Sequence, residues 1–209
     1  MGASSCDYIN ESAMHGGRFA IADETWAVNA MGATIAHDRL FAIDDLGELR
    51  MDAREHGKKV ANGMLSWLPS HPGPVYTATP YTDIVPGSVC FPYEEVINAC
   101  GFPYFNNSVA CAVGYAIYLG VQNLKLYGCD FTYRERNIGE AGRGNVEWLL
   151  GLAGARGMNI SVSDSTTLMD ADLPLDQRLY GFREPVLVGQ DETGVWRVTY
   201  PEREKEAAA

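Results

Sequence analysis

Carboxylates that follow short apolar segments are the side chains of this sequence best placed to do chemistry. Asp44 and Asp45 come directly after the segment LFAI (residues 40–43), and Asp130 follows LKLYGC (residues 124–129). Two adjacent carboxylates repel each other unless solvent, hydrogen bonds or a cation compensates, and Mg²⁺ held together with substrate phosphates is a common solution. The sequence therefore predicts that Asp44 and Asp45 bind Mg²⁺. The alternative is that Asp45 caps the helix that follows it.

Amide and hydroxyl side chains stand in comparable positions. Asn29 ends the segment WAVN, and its amide can both donate to and accept from a nucleotide base or sugar. A structural role in the turn that follows is the alternative for this residue. Asn107 and Ser108 precede an apolar helix, whose first backbone N–H groups attract an anion such as phosphate. Ordinary capping of that helix is the alternative for this pair.

A glycine- and arginine-rich stretch, YRERNIGEAGRGN (residues 133–145), is predicted to be a loop over most of its length. Its arginines are Arg134, Arg136 and Arg143. The guanidinium group has the planar geometry that suits phosphate recognition, and the glycines allow movement. The hypothesis is therefore a lid that closes over a bound nucleotide, and the alternative is a solvated charged loop.

The apolar segments that carry these residues alternate with helix-forming stretches. Strands are predicted at residues 26–30, 40–43, 75–78, 88–91, 123–127 and 158–163, and helices at residues 46–67, 93–99, 107–119 and 142–156. This alternation predicts right-handed βαβ units in a Rossmann-like α/β fold with a mostly parallel sheet and helices on both faces. Ligands bind such sheets beyond the carboxyl ends of the strands, which is where Asn29, Asp44 and Asp130 fall.

The domain organisation follows from the same pattern. Residues 1–184 are predicted to form a single Rossmann-like domain, and residues 185–200 a C-terminal hairpin or extension around the turn DETG. Residues 201–209, PEREKEAAA, have the composition of a disordered tail.

Composition excludes several classes of function. The net charge of −11 gives no general nucleic-acid footprint. The longest nearly unbroken apolar run, residues 109–121, is shorter than the ~20 residues that a membrane helix needs. The five cysteines are scattered without a CxxC pair, which favours a reducing cytoplasm. The expected partner is a small-molecule nucleotide ligand, with no membrane association, and homo-oligomerisation is left open.

Three segments together carry a resemblance to known proteins: WAVNAMG (26–32), LFAIDD (40–45) and NNSVACAVGYAIYLGVQNLKLYGCDFTY (106–133). The combination, which spans about residues 2–164, resembles the archaeal 6-hydroxymethylpterin diphosphokinases and their uncharacterised relatives. It is also similar in layout to the bacterial sialyltransferases of glycosyltransferase family 42. Compact stand-alone versions of this kind are common in bacteriophages, so the resemblance also implies a phage origin and a place in the host cytoplasm.

The resemblance implies further site residues. Gly2, Ser4 and Ser5 take the place of a phosphate-binding Gly-Pro-Ser-type loop, and Tyr133 is in a position to donate to a leaving phosphate. In those families a strand precedes this loop, so either the sheet lacks that strand or the strand lies ahead of the sequence. The sialyltransferases place a histidine base well after the Asp-Phe motif, whereas the last histidine of this sequence is His71.

Three functions are compatible with these residues. The first and leading prediction is a nucleotide-dependent, glycosyltransferase-like transferase that uses a nucleotide or nucleotide sugar. In it Asp130 or Asp45 acts as base, and Tyr133 with the arginines stabilises the leaving phosphate. The second is a Mg²⁺-dependent diphosphokinase, in which Asp44 and Asp45 hold Mg-ATP while a pyrophosphoryl group moves to a small alcohol. The third is a non-catalytic nucleotide-binding protein.

Overall fold

The computed structural model describes residues 3–44, 46–56, 59–132, 136–181 and 186–200. In these ranges the α-helices are α1 (Ala3–His15), α2 (Leu46–His56), α3 (Lys59–Trp67), α4 (Tyr93–Cys100), α5 (Ser108–Leu119) and α6 (Arg136–Ala155). The strands are β1 (Trp26–Val28), β2 (Arg39–Phe41), β3 (Val75–Thr77), β4 (Ser88–Cys90), β5 (Asn123–Leu126), β6 (Asn159–Val162), β7 (Leu187–Gln190) and β8 (Trp196–Thr199). None of these helices is long and apolar enough to cross a bilayer.

The largest sheet confirms the predicted α/β class. Its four strands are all parallel and lie in the order β1-β2-β3-β4. One face carries Ala27, Leu40 and Val75, which pack against residues of α2 and α3. The other face carries Phe41 and Tyr76, which pack against α4 and α5. Helices therefore cover both faces, as expected for a Rossmann-like arrangement.

Two smaller sheets complete the described strands. β5 and β6 form a separate parallel pair in which Leu124 lies opposite Ile160, and α6 connects them. β7 and β8 form an antiparallel hairpin whose turn is closed by Asp191. The sequence predicts one mostly parallel sheet. In the structure the strands are parallel as predicted, but they are divided between two sheets, since no hydrogen-bonded ladder joins β1 to β5 among the described residues. Residues 201–209 lie outside the described ranges.

A cluster of aromatic rings fills the core beneath α5. The buried ring of Phe41 contacts the rings of Trp26, Tyr76, Phe91 and Tyr115 at centroid distances of 5.0–6.4 Å. The hydroxyl oxygens of Tyr76 and Tyr115 lie 2.9 Å apart and share a hydrogen bond. The same core contains side chains of β5 and α6, so both parallel sheets are packed on one hydrophobic interior.

The first residue predicted for α5 is correct, and the one predicted for α6 is wrong. α5 begins where it was predicted, because the Asn107 side chain accepts a hydrogen bond from the backbone N–H of Ala110 at 2.9 Å. α6 was predicted to begin at residue 142, but it begins at Arg136. Arg136 pairs with Glu140 one turn later, which favours helix over the predicted loop.

A histidine pair lies at the amino ends of the strands, away from the carboxylates singled out above. The Gly73 N–H donates to His71 Nδ1 at 3.0 Å, so the proton of neutral His71 is on Nε2 and is donated to His37 Nε2 at 2.9 Å. His37 Nδ1 in turn donates to the Ile35 carbonyl oxygen at 2.8 Å. Burial lowers the pKa of His71, and the proximity of His37 lowers it further. The pair is therefore arranged for two neutral imidazoles.

We expect the protein to lose stability as the pH falls below about 6.5, the ordinary histidine pKa. Because the pKa of His71 is lower in the folded chain than in the unfolded chain, its contribution is complete above that pH and declines as the unfolded state takes up its proton first. The measurement is the melting temperature at pH 7.5 and pH 5.5. The variant His71→Gln should reduce this pH dependence, and His15→Gln, at an exposed site on α1, should leave it unchanged. Equal pH dependence in the wild type and His71→Gln would contradict the expectation.

Candidate functional site

Polar side chains follow the carboxyl ends of the parallel strands, where a ligand is expected to bind such sheets. Asn29 follows β1, Asp44 follows β2, Thr77 ends β3, Asp130 follows β5 and Ser163 follows β6. Helices α1, α5 and α6 begin at this same rim, so their N-terminal backbone N–H groups are directed towards it. This rim is also where the sequence predicts the site, and some of the predicted residues contact one another there.

The Asp130 side chain is hydrogen-bonded to the first turn of α1. Its carboxylate accepts hydrogen bonds from the Ser4 hydroxyl and, at 3.4 Å, from the Ser4 backbone N–H. The Gly128 N–H donates to the same Ser4 oxygen at 2.7 Å. Gly128 has a φ of +72°, and a Cβ there would lie 2.6 Å from Ser5 Oγ, so this close approach requires glycine.

At the predicted phosphate loop, the position expected for a phosphate next to Ser4 is occupied by a carboxylate of the protein itself. Ser4 and Ser5 are both buried, and the anion at the amino end of α1 is the Asp130 carboxylate. A carboxylate in this place satisfies free N–H groups of the helix and interacts favourably with its dipole. Gly2, the other predicted member of the loop, lies outside the described residues.

Further contacts hold α1 and the segment after β5 in place. The Ser163 and Ser165 hydroxyls both donate to the Asp7 carboxylate, which lowers the pKa of Asp7. Thr166 donates to the carbonyl oxygen of Cys129 at 3.1 Å, and the neighbouring Thr167 donates to that of Asp130. The loop after β6 therefore positions the acidic segment after β5, a role that the sequence did not reveal for the two threonines.

Asn29 and Asp44 form a second polar pair. Asn29 has a φ of +48°, an uncommon conformation that places its side chain within hydrogen-bonding reach of the Asp44 carboxylate. Asp44 retains access to solvent, yet desolvation by the surrounding protein raises the pKa of its carboxyl, and the Asn29 hydrogen bond offsets part of that effect. A carboxylate with a raised pKa and solvent access has the properties of a general base.

The Asn29–Asp44 pair faces the first turns of α5. Burial raises the pKa of the Cys111 thiol to about 11, and the nearby Asp44 charge contributes to that increase. One turn earlier, the Ser108 hydroxyl forms no hydrogen bond with the described part of the chain. Asp44 therefore lies near the positive end of a helix dipole, where a substrate phosphate and a base could both be accommodated.

The metal prediction involves Asp44 and Asp45, and Asp45 lies outside the described residues. Within the described ranges, no group of three His, Cys, Asp or Glu side chains is arranged around a common point. Asp44 supplies one carboxylate at a rim where substrate phosphates would supply further oxygen ligands, which is the usual coordination of Mg²⁺ by proteins. A Mg²⁺ site at Asp44 and Asp45 stays a prediction.

A cavity of about 310 Å³ separates the beginnings of α5 and α6. Phe131, with a φ of +49°, lines it together with Asn106, Asn107, Asn137 and Ile138. The Asn107 amide is already used within the protein, because it caps α5 and donates to the Gly142 carbonyl oxygen at 3.2 Å. The capping role named as the alternative for Asn107 is therefore present.

The predicted arginine lid is replaced by helix over its described part. Arg143 pairs with Glu147 at 2.8 Å and with Asp170 at 2.6 Å, so its guanidinium is already neutralised. Arg136 is exposed and pairs with Glu140. Tyr133 and Arg134 lie outside the described residues.

A glycine pair on α6 provides a test of the Phe131 position. A Cβ at Gly142 would lie 2.9 Å from Phe131 Cε1, whereas a Cβ at Gly144 would meet no atom within 4 Å. We expect Gly142→Ala to destabilise the protein by about 1–3 kcal/mol, the usual cost of overpacking. The matched control Gly144→Ala should be stabilising by up to ~1 kcal/mol because alanine favours helix. Urea unfolding of both variants is the measurement, and equal effects would contradict the close packing of Phe131 on Gly142.

Comparison with models of known protein families, with curated proteins and with solved structures gave no match for this chain. The class of protein is therefore defined by its own fold and site. It is a parallel α/β protein with a polar rim at the carboxyl ends of its strands, where two acidic residues, Asp44 and Asp130, have different environments.

Proposed function

We propose that this protein is a nucleotide-dependent transferase of the glycosyltransferase-like kind, acting in the cytoplasm. The observation that carries the proposal is the pairing of Asn29 with Asp44 beside the first turns of α5. This pairing places a carboxylate with a raised pKa next to a helix N-terminus, which combines a candidate base with a candidate phosphate site. The five cysteines are free thiols, in keeping with a reducing compartment.

In the proposed reaction, the phosphate of a nucleotide sugar lies against the N-terminus of α5, near Ser108. Asp44 accepts the proton of an acceptor hydroxyl, the acceptor oxygen bonds to the sugar carbon, and the sugar–phosphate bond breaks. The electron pair of that bond leaves with the nucleotide, whose charge is stabilised by the helix N–H groups. Asn29 positions Asp44. Asp130, one of the two bases predicted from the sequence together with Asp45, is better suited to positioning α1, because its carboxylate already accepts hydrogen bonds from Ser4.

Two alternatives keep the same pocket. A Mg²⁺-dependent diphosphokinase would use Asp44 as a metal ligand, with charge neutralisation as its main contribution. A non-catalytic nucleotide binder would keep the helix N-terminus and require no base. The position of Asp44 favours the transferase, because its carboxylate is paired with Asn29 and lies beside the first turns of α5, close to the candidate phosphate site.

Product analysis distinguishes the three functions. The purified protein is first screened by thermal shift with ATP, UDP, CMP and common nucleotide sugars, with and without MgCl₂. Stabilising compounds are then incubated with a panel of small alcohols and sugars, and the products are separated by chromatography. Free nucleotide from a nucleotide sugar supports the proposal, and AMP from ATP supports the diphosphokinase. A shift without turnover supports the binder, and no shift with any nucleotide contradicts all three functions.

A further inference from the structure

The hairpin of β7 and β8 exposes apolar side chains to solvent. Four consecutive residues, 195–198, are all exposed, and they include Trp196 at 58%. Among the described residues, neither hydrophobic core includes a side chain of β7 or β8. A two-stranded hairpin is only marginally stable in water unless a third strand or another element packs on it. The hairpin is therefore a candidate interaction surface.

The outer edge of β8 presents backbone groups that can pair with a further strand. The Asp191 N–H donates to the Val195 carbonyl oxygen at 2.9 Å, so these two residues form a hydrogen-bonded pair at the turn. Hydrogen-bonded and non-hydrogen-bonded pairs alternate along an antiparallel ladder. In the observed register, Trp196 and Val198 therefore belong to non-hydrogen-bonded pairs. Their N–H and C=O groups point away from β7, towards the outer edge.

Unpaired edges also occur on other strands, so an edge by itself selects no interface. Among the described strands, β1, β4, β5 and β6 each have one unpaired edge. Side chains of β1, β5 and β6 pack on the hydrophobic cores, and β4 is one residue shorter than β8. The partner strand β7 packs against the 3-10 helix at Leu175–Arg178. β8 combines an outward-facing edge with exposed apolar side chains.

The charge distribution favours a second copy of this chain as the partner at that edge. The net charge of −11 makes two copies repel each other over most of their surfaces. β8 carries one charge, Arg197, which is paired with Asp191 at 2.8 Å. Two copies of a strand can pair about a twofold axis, and each then satisfies the edge of the other with the same groups. The neutralised edge of β8 is thus a place where two acidic chains can approach closely.

One register suits this pairing best. Opposite residues of antiparallel strands lie on the same face, so a register centred on Arg197 would place two guanidinium groups opposite each other. Registers centred on Trp196 or earlier would bring Gly194, a turn residue with a φ of +79°, into the ladder. A register centred on Val198 places it opposite the partner's Val198, and Trp196 opposite the partner's Tyr200. It also joins the outward N–H and C=O groups of both copies.

We propose that two copies of this chain associate through β8, antiparallel and about a twofold axis at Val198. The two hairpins then form one four-stranded antiparallel sheet in the order β7-β8-β8-β7. The apolar face of each hairpin, with Val188, Trp196 and Val198, continues across the axis. A contact between two four-residue strands buries less than the ~800 Å² per partner of a standard interface, so association depends on concentration. This inference does not depend on the proposed function.

Sedimentation velocity of the full chain tests the proposal between about 1 and about 500 μM, a range suited to a small interface. We expect the mass to rise from that of a monomer to that of a dimer. Val198→Lys places two ammonium groups opposite each other and should weaken the dimer at least roughly tenfold. The matched control is Val89→Lys, because Val89 is 43% exposed on the edge strand β4. This control should leave the dimer unchanged.

Val198→Pro provides a second variant that does not depend on how the lysine variant folds. Because the Val198 N–H points away from β7, proline removes a donor to the partner and no hydrogen bond of the hairpin ladder. This variant should also weaken the dimer at least roughly tenfold. In the wild type, amide exchange at Trp196 and Val198 should slow as the concentration rises. Exchange at Arg197, which is bonded within the hairpin, should not change.

Four outcomes would overturn the proposal. A chain that stays monomeric over the whole range would show that this edge serves another partner or none. A dimer that persists in both Val198 variants would place the interface elsewhere, and loss of the dimer in Val89→Lys would favour the edge of β4. Species larger than a dimer would contradict a closed twofold contact.

Discussion

Replacing Asp44 with asparagine is expected to lower turnover by ~10²-fold or more, the scale of general-base loss. The same change should leave the melting temperature at neutral pH unchanged or higher. Desolvation raises the pKa of Asp44, so its charged form is less favourable in the folded chain than in the unfolded chain. Its favourable contribution to stability is therefore present at low pH and is lost as the pH rises through the folded pKa. Asparagine removes the charge and keeps the size.

Asp130→Asn is the matched comparison, because it changes the other acidic residue of the rim. Asp130 is buried and accepts hydrogen bonds from Ser4, so we expect a loss of about 1–3 kcal/mol in stability. Activity per folded molecule should be largely retained. The measurements are turnover with the nucleotide sugar identified by screening and thermal unfolding at pH 7. A large loss of turnover in Asp130→Asn with normal turnover in Asp44→Asn would reverse the two roles.

Phe41→Ala is expected to cause the largest loss of stability among the substitutions considered, about 3–5 kcal/mol. The Phe41 side chain is fully buried, and its ring contacts four other aromatic rings that cannot all move into the space it leaves. The melting temperature should fall by roughly 10 °C or more. The control is Phe102→Ala, because Phe102 is 57% exposed and contacts Trp148 at the surface. Similar losses in the two variants would contradict the position of the core.

The parts of the fold that the sequence predicts are those determined by local patterns. α5 could be placed because Asn107 and Gly120 are recognisable caps on an apolar segment. The strands after Thr25 and Asp38 could be placed because short apolar runs alternate with helical stretches. Parallel pairing then follows from the order of the elements, and the carboxyl rim follows from parallel pairing.

The parts that the sequence did not predict depend on pairs that are distant along the chain. Nothing near Asp130 in the sequence indicates that Ser4 will occupy its carboxylate. The pairing of His37 with His71 joins residues 34 positions apart, and the bond from Thr166 to the backbone after β5 joins residues 37 positions apart. The early start of α6 was missed because Gly139 and Gly142 suggest a loop, whereas both are buried in a closely packed helix.

The contact between Ser4 and Asp130 also sets an order of events during translation. The two residues are separated by 126 positions, so at ribosomal rates of 5–20 residues per second Asp130 is added roughly 6–25 s after Ser4. The hydroxyl partners of Asp7 on the loop after β6 are added later still. During this interval α1 lacks the Asp130 carboxylate and the hydroxyl partners of Asp7. We therefore expect nascent chains shorter than about 130 residues to be cleaved readily by protease within their first helix.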